Sequence, residues 1–344
     1  STCLVGSEMC IRDSLRTNQL TGNIPDFSNL SNLDVLNLEG NQLIGNIPDF
    51  NNLTSLKKLN LNSNNLTGNV PNFTNLLTLE FLSLYDNQLI GSIPNFNNLP
   101  NLGLNTSTYA GYINNSGLVG LVLSRNQLTG TIPDFSHLPN LNILYLSENQ
   151  LIGTIPDFSN LPNLEMLSLS ENQLIGTIPD FSNLPSLEVL FLYDNQLTGI
   201  IPNFSNLPNL EELSLYENQL TSFLPNFDNL PNLASLKVCP NNLFGQIPSF
   251  DNCPTISAMI ASPFSWINPD FSCLKLPKIK GIVFQDKNQN CIFNEDENTI
   301  PQGTILVNGG ENYAFSDTNG EYTIGLDTGT YTISYLPPNQ LWQQ

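Results

Sequence analysis

Two groupings of side chains could do chemistry. The first is Asp286-x-Asn288-x-Asn290-Cys291-x5-Glu297. Oxygen ligands at positions 1, 3, 5 and 12 of a single loop converge on one point, with the carbonyl of Ile292 at position 7 and Asn294 as a further donor. Six or more hard oxygens suit calcium. Cys291 stands where such loops ordinarily carry glycine, and the flanks read as strands instead of helices. With two carboxylates among the ligands, affinity should be weak, about 10⁻⁴ to 10⁻³ M. The competing reading is a solvated acidic turn.

The second grouping recurs along the chain. Glu148, Glu171, Asp194 and Glu217 each precede an asparagine at the same point of a repeating phrase, with Asp86 earlier in the same column. Beside them run Tyr85, Tyr145, Phe191, Tyr193 and Tyr216, with Phe81 at the edge. An acidic column flanked by aromatics can grip a basic peptide or stack against sugar rings. The alternative is that duplication copied the acids and solubility retained them. Catalysis fits poorly, because equivalent carboxylates in a row do not form an acid and a nucleophile with separated pKa values. The single histidine, His137, takes the asparagine place of a Phe-Ser-Asn-Leu turn, and nucleophile-elbow, phosphate-loop and dinucleotide fingerprints are all missing.

What positions these residues is a repeat. From Leu15 to Phe271 the phrase Leu-x-x-Leu-x-Leu-x-x-Asn-x-Leu-x-Gly-x-Ile-Pro-x-Phe-x-Asn-Leu returns every 23 residues, as the spacing of Phe27, Phe50, Phe73 and Phe96, and of Phe135 through Phe250, shows. A period of that length means a solenoid. The leucines of Leu164-x-x-Leu167-x-Leu169 alternate with polar residues, which predicts one short half-buried strand per turn and a parallel sheet once turns stack. Asn172 falls where the chain leaves the strand, and its amide can donate to and accept from backbone groups left unpaired there. Nine equivalents, among them Asn18, Asn41 and Asn241, predict a ladder. Gly176 allows positive φ, Pro179 holds an extended stretch, and Phe181 stacks on its counterparts across the turns.

This phrase resembles the leucine-rich-repeat family, and Leu-x-Gly-x-Ile-Pro is closest to its plant-type subclass, although each turn is one residue shorter. The resemblance implies a right-handed solenoid that serves as a binding scaffold, residues 15–277. Sixteen extra residues, about 103–118, interrupt it and carry Tyr109 and Tyr112. They are similar to a small island loop of plant receptor ectodomains, or are the remnant of a repeat. At 251–277 the pattern decays into a cap. Cys253 replaces a consensus leucine, and Cys273 sits one place earlier in the following turn, which puts the two Cα atoms about 6 Å apart and predicts a disulfide. Cys239 competes for Cys253.

From residue 278 to 344 the composition turns to alternating Thr, Tyr, Val and Ile, broken by Asn308-Gly-Gly, Thr318-Asn-Gly and Thr328-Gly. These are hairpin signals and predict a small antiparallel β-sandwich. Gly281-Ile-Val-Phe-Gln-Asp286-Lys-Asn288-Gln-Asn290 and Asp317-Thr-Asn-Gly-Glu-Tyr322 resemble the B-type stalk domains of bacterial serine-aspartate adhesins, which implies a calcium-binding spacer. The stop at Gln344 reads as falling inside that domain. Residues 1–14 break the repeat and read as linker.

Composition narrows the partners. Thirty acidic against ten basic side chains give a net charge of −20, so nucleic acid and anionic membranes are disfavoured. No apolar run is long enough to span a bilayer, and six cysteines without metal-type spacing suit an extracellular setting. The expected function is that of a secreted bacterial surface protein whose repeat head binds a protein or glycan. Two alternatives stand beside it: a eukaryotic-type receptor ectodomain, and an ice-binding array built on Thr131, Thr154 and Thr177.

Overall fold

The computed structural model describes residues 11–104, 120–225, 227, 229–243, 278–282, 298–300, 304–307, 312–325 and 333–336. They fall into a solenoid unit that reaches Asn242 and a second unit that holds the strands from Lys278 onward.

In the solenoid, each turn contributes one strand to a ten-stranded parallel sheet that runs from Ile11–Ser14 and Leu33–Asn37 to Ser235–Lys237. Equivalent residues pair, Leu144 opposite Leu167 and Leu167 opposite Leu190. The predicted alternation holds. Leu164, Leu167 and Leu169 are fully buried, and the intervening residues point to the open face of the sheet. Phe73, Phe135, Phe181 and their equivalents close the far side of the core at no more than 9% exposure. No helix occurs among the described residues. Each phenylalanine carbonyl instead accepts from the leucine three residues on, and that leucine carbonyl from the next, as in Leu184 to Phe181 (2.9 Å) and Leu187 to Leu184 (3.0 Å). Two tight turns in succession bring the chain round in the shortened repeat, with Phe181 itself at a φ of 51°.

The asparagine ladder has the predicted chemistry. Asn172 Nδ2 donates to the carbonyls of Leu146 (3.0 Å), Leu169 (3.1 Å) and Ser170 (3.1 Å), while Oδ1 accepts from the Leu151 amide at 3.0 Å. One side chain thereby ties two turns together. A second ladder, absent from the sequence reading, lies at the exposed turns, where Asn163 Nδ2 donates to the Pro139 carbonyl (3.0 Å) and Asn209 Nδ2 to that of Pro185 (3.1 Å).

The segments after nine of the ten ladder asparagines, Asn18 through Asn218, are also strands, which the sequence reading did not anticipate. These segments form a three-stranded sheet, Thr21–Asn23 with Gln42–Asn46 and Asn65–Thr67, and a six-stranded sheet from Ile90–Ser92 to Gln219–Leu220. The signal was present: Gln173, Ile175 and Thr177 are exposed while Leu174 and Ile178 are buried, a period of two. Gly176 adopts a φ of 84°, as expected, and a Cβ there would lie 2.9 Å from Thr154 Cγ2. Conformation and close approach both require glycine.

Two boundaries differ from expectation. Ile11–Ser14, set aside as linker, pairs in parallel with Leu33–Asn37, because ladder bonds come from the backbone and need no consensus leucine. The insertion begins after Gly103: the Gly103 amide donates to the Glu80 carbonyl at 2.8 Å, and Gly120 resumes the sheet opposite Phe81. The asparagine ladder crosses this point unbroken, the Leu89 amide donating to Asn126 Oδ1 at 3.0 Å. Cys239 is disulfide-bonded. The predicted partners Cys253 and Cys273 lie outside the described residues, as does the cap.

The second unit is antiparallel, in two sheets. Lys278–Ile282 pairs with Glu321–Gly325, and Thr304–Val307 lies between Asn312–Phe315 and Ile333–Leu336. The Asn308-Gly-Gly signal joins paired strands, as a hairpin does. Thr318-Asn-Gly makes a tight turn, with Asp317 Oδ1 accepting from the amides of Asn319 (2.8 Å) and Glu321 (2.9 Å), yet the strands on its two sides belong to different sheets. The strands flanking Thr328-Gly are likewise in different sheets. Turn chemistry specifies a reversal, not the partner that follows it.

Candidate functional site

The open face of the ten-stranded sheet carries the predicted binding residues. Tyr193 and Tyr216 occupy one column on adjacent turns with ring centroids 4.5 Å apart and planes within 6°, and Phe191 tilts against Tyr193 at 6.3 Å. Glu171, Asp194 and Glu217 stand exposed beside them on consecutive turns. All three sit in left-handed conformation, with φ between 51° and 54°. Only Gly40 among the equivalents relieves that conformation with a glycine. The bend is held because each of these amides bonds the next turn, Glu171 to the Tyr193 carbonyl at 2.9 Å and Asp194 to that of Tyr216 at 3.0 Å. Burial, followed by Tyr193 and then the carboxylates of Glu217, Glu171 and Asp194, raises the pKa of the Tyr216 hydroxyl. Negative potential therefore converges on the stacked pair.

Toward the first turns the face changes character. Arg125 replaces the acid in its column and places Nε 2.7 Å and 2.9 Å from the two carboxylate oxygens of Glu148, with its guanidinium carbon 5.4 Å from the centre of the Tyr85 ring. This pair neutralises the column between Asp86 and Glu171, and the sequence reading missed it. Tyr145 is half-buried and donates to Met166 Sδ at 3.0 Å. Phe81, expected as an edge contact, is only 2% exposed and packs with Val35 and Val122. It forms the wall of a pocket of about 280 Å³ lined also by Glu39, Asn62, Ser83, Tyr85 and Tyr145. The face thus separates into a charge-paired, pocketed part and an acidic, aromatic part centred on Tyr193 and Tyr216.

A second acidic column also escaped the sequence reading. Glu165, Glu188 and Glu211 follow one another at the entry to their strands, the Glu188 amide bonding the Glu165 carbonyl and the Glu211 amide bonding that of Glu188, each at 2.8 Å. Glu212 stands next to them. These residues share one place in the repeat, so the same periodicity that exposed the first column could have found them. Burial and the neighbouring Glu188 raise the Glu165 pKa. His137 is tied to the Asn95 carbonyl of an earlier turn, a surface role. Among the described residues no group of His, Cys, Asp or Glu is arranged to hold a metal ion, and no helix is long and apolar enough to cross a membrane. The calcium loop, Asp286, Asn288, Asn290, Ile292, Asn294 and Glu297, lies outside the described residues.

A solenoid with one leucine strand and one ladder asparagine per turn defines a class, and family models agree. Those for leucine-rich repeats match residues 55–76, 116–174, 162–206 and 185–226. The chain belongs to the leucine-rich-repeat family. It is similar to the Arabidopsis receptor kinase HAESA, solved in complex with the peptide hormone IDA and the co-receptor SERK1, at 33% identity and a TM-score of 0.62 over 69% of this chain and 39% of that one. It is similar to a plant ice-binding protein at 33% identity and a TM-score of 0.58, over 77% of this chain and 80% of that one. A Leptospira interrogans leucine-rich-repeat protein shares 32% identity at a TM-score of 0.54, over 68% and 56%. This chain therefore spans well under two thirds of the receptor it resembles. No curated protein matches the sequence.

Proposed function

We propose that this chain is an extracellular recognition module of the receptor-ectodomain kind, which binds a basic peptide or protein segment on its ten-stranded face. The observation that carries this is the Tyr193–Tyr216 stack framed by exposed Glu171, Asp194 and Glu217. Rigid aromatic area beside fixed charge is what a binding hot spot needs, and a chain of net charge −20 favours a cationic partner. The likeness to HAESA, solved with a bound peptide hormone, supports a peptide over a glycan. Repetition of equivalent carboxylates argues for binding over catalysis. The adhesin-type reading rests on the C-terminal motifs alone, and calcium in the 286–297 loop is a proposal from sequence.

The test is fluorescence anisotropy with labelled basic, neutral and acidic peptides of one length, using the whole chain at low and high salt. The basic peptides should bind, salt should weaken them, and Tyr193→Ala with Tyr216→Ala should weaken them at least about tenfold. Equal binding of neutral and acidic peptides would contradict the proposal.

One observation favours a second reading, ice binding. On the sheets after the ladder, Ile44, Thr67, Ile90, Thr129, Ile152, Ile175, Thr198 and Thr221 occupy one repeat position, all β-branched and all exposed, beside the column of Thr131, Thr154 and Thr177. A regular array of methyl and hydroxyl groups can order water, and the similar plant protein is an ice-binding one. Slowed ice recrystallisation that is lost in Ile152→Lys with Thr154→Lys is the expected result. Growth unaffected by the parent protein rules it out.

A further inference from the structure

The two acidic columns lie on opposite sides of the same three turns. Glu165, Glu188 and Glu211 line the entry of the strands at Met166–Ser168, Val189–Phe191 and Glu212–Ser214, and Glu171, Asp194 and Glu217 line the exit. Between them the floor is Ser168, Phe191, Tyr193, Ser214 and Tyr216. Six residues separate the columns within a turn, roughly 15–20 Å at the rise of a strand. That width accommodates an extended segment lying across the turns with one long cationic side chain reaching to each side.

The floor carries its own sign of a ligand. Ser214 is 5% exposed, and its Oγ has no hydrogen-bond partner among the described residues. Leu213 and Leu215 on either side point into the core, so Ser214 points into the trough, paired in the ladder with Phe191. A buried hydroxyl without a partner is costly to leave so, and a peptide backbone laid over this floor would supply one. The field has the same arrangement. Tyr216 feels Glu217, Glu171 and Asp194 from one side, and Glu165 feels Glu188 on the other.

We propose that the trough across these three turns recognises an extended segment with adjacent basic residues, an Arg-Arg or Lys-Arg pair, one side chain going to each acidic column. In a strand, neighbouring residues point to opposite sides and alternate ones to the same side. A paired sequence therefore meets both columns, whereas an alternating one meets a single column. The second column is what makes this discrimination. The proposal rests on the strand-face reading above and sharpens it.

Two heptapeptides of identical composition and charge separate the possibilities: Gly-Arg-Arg-Gly-Arg-Arg-Gly and Arg-Gly-Arg-Gly-Arg-Gly-Arg, each amidated, acetylated and titrated into the whole chain. The paired isomer should bind at least about fivefold more tightly, because each acidic column receives cations. Glu188→Gln with Glu211→Gln, at a half-buried and an exposed position and checked for a melting temperature that does not fall, should erase the preference by bringing the paired isomer down to the level of the alternating one. Equal binding of the two isomers overturns the two-column proposal and leaves the strand face standing. Binding of neither overturns both.

Discussion

Tyr193 and Tyr216 are one repeat apart in sequence and lie face to face, 4.5 Å between centroids and 6° between planes. Stacking fixes both rings before any ligand arrives, so their area is presented without ordering cost. Exposed acids steer encounter, whereas buried rings hold the complex. For a bound basic peptide, Tyr193→Ala with Tyr216→Ala should raise the off-rate at least about tenfold, roughly 1.4 kcal/mol. Asp194→Asn with Glu217→Gln should chiefly lower the on-rate at low salt. Stopped-flow measurements on the two variants check the division.

The ladder prediction concerns stability. Asn172 makes four bonds to backbone groups on two turns and is buried. Asn172→Ala should cost on the order of 1 to 3 kcal/mol because it leaves those groups unpaired. Gln173→Ala, at an exposed neighbour, should change stability by no more than about 0.5 kcal/mol. Urea unfolding of both variants decides, and equal losses would remove the ladder from the account.

Gly176 offers a backbone test. At a φ of 84°, with Thr154 Cγ2 2.9 Å from where a Cβ would sit, Gly176→Ala meets both strain and a clash. A loss of about 1 to 3 kcal/mol is expected. Thr154→Ser in the same background should recover part of it by removing the methyl group. No recovery would assign the whole effect to φ.

Acid should stabilise the solenoid before it harms it. The Glu165 pKa is raised in the folded state, above its ordinary 4.5, by burial and by Glu188. A raised folded value means that the stabilising contribution is complete below about the unfolded pKa and is lost as pH rises through the folded one. The melting temperature should therefore increase as pH falls through the raised folded value toward the ordinary 4.5, and Glu165→Gln should flatten that increase. A melting temperature that falls steadily over this range would contradict the assignment.

Much of the solenoid was legible because each consensus residue has a local physical task. Leu167 and Leu169 mark the strand, Asn172 the ladder and Gly176 the positive φ, and all three assignments hold. The second set of strands was concealed although Leu174-x-Gly176-x-Ile178 alternates, since glycine and proline, residues that ordinarily interrupt strands, fall within and just after the period of two. The candidate face was only half legible. Tyr193, Tyr216 and their acids stood out as a column, but the pairing of Arg125 with Glu148 depends on two turns being adjacent across an insertion, which spacing conceals. Phe81 shows the same limit, since a ring at the edge of a pattern can be a contact or a wall, and neighbours decide.

The calcium site proposed for the 286–297 loop should act on the C-terminal unit alone. Titration into the whole chain should raise the melting transition of the 278–344 region and leave the solenoid transition unmoved, with Asp286→Ala abolishing the shift. Calorimetry at millimolar calcium checks it, and no heat of binding there would end the proposal.

The central claim is that recognition resides on the ten-stranded face. Amide hydrogen exchange with and without the peptide Gly-Arg-Arg-Gly-Arg-Arg-Gly tests it most directly. Protection is expected in Met166–Ser168, Val189–Phe191 and Glu212–Ser214 and in the adjoining Glu171, Asp194 and Glu217, with none in Gln173–Gly176 or Gln196–Gly199. Protection confined to residues 105–119, or to the strands after the ladder, would place the site elsewhere and contradict the account.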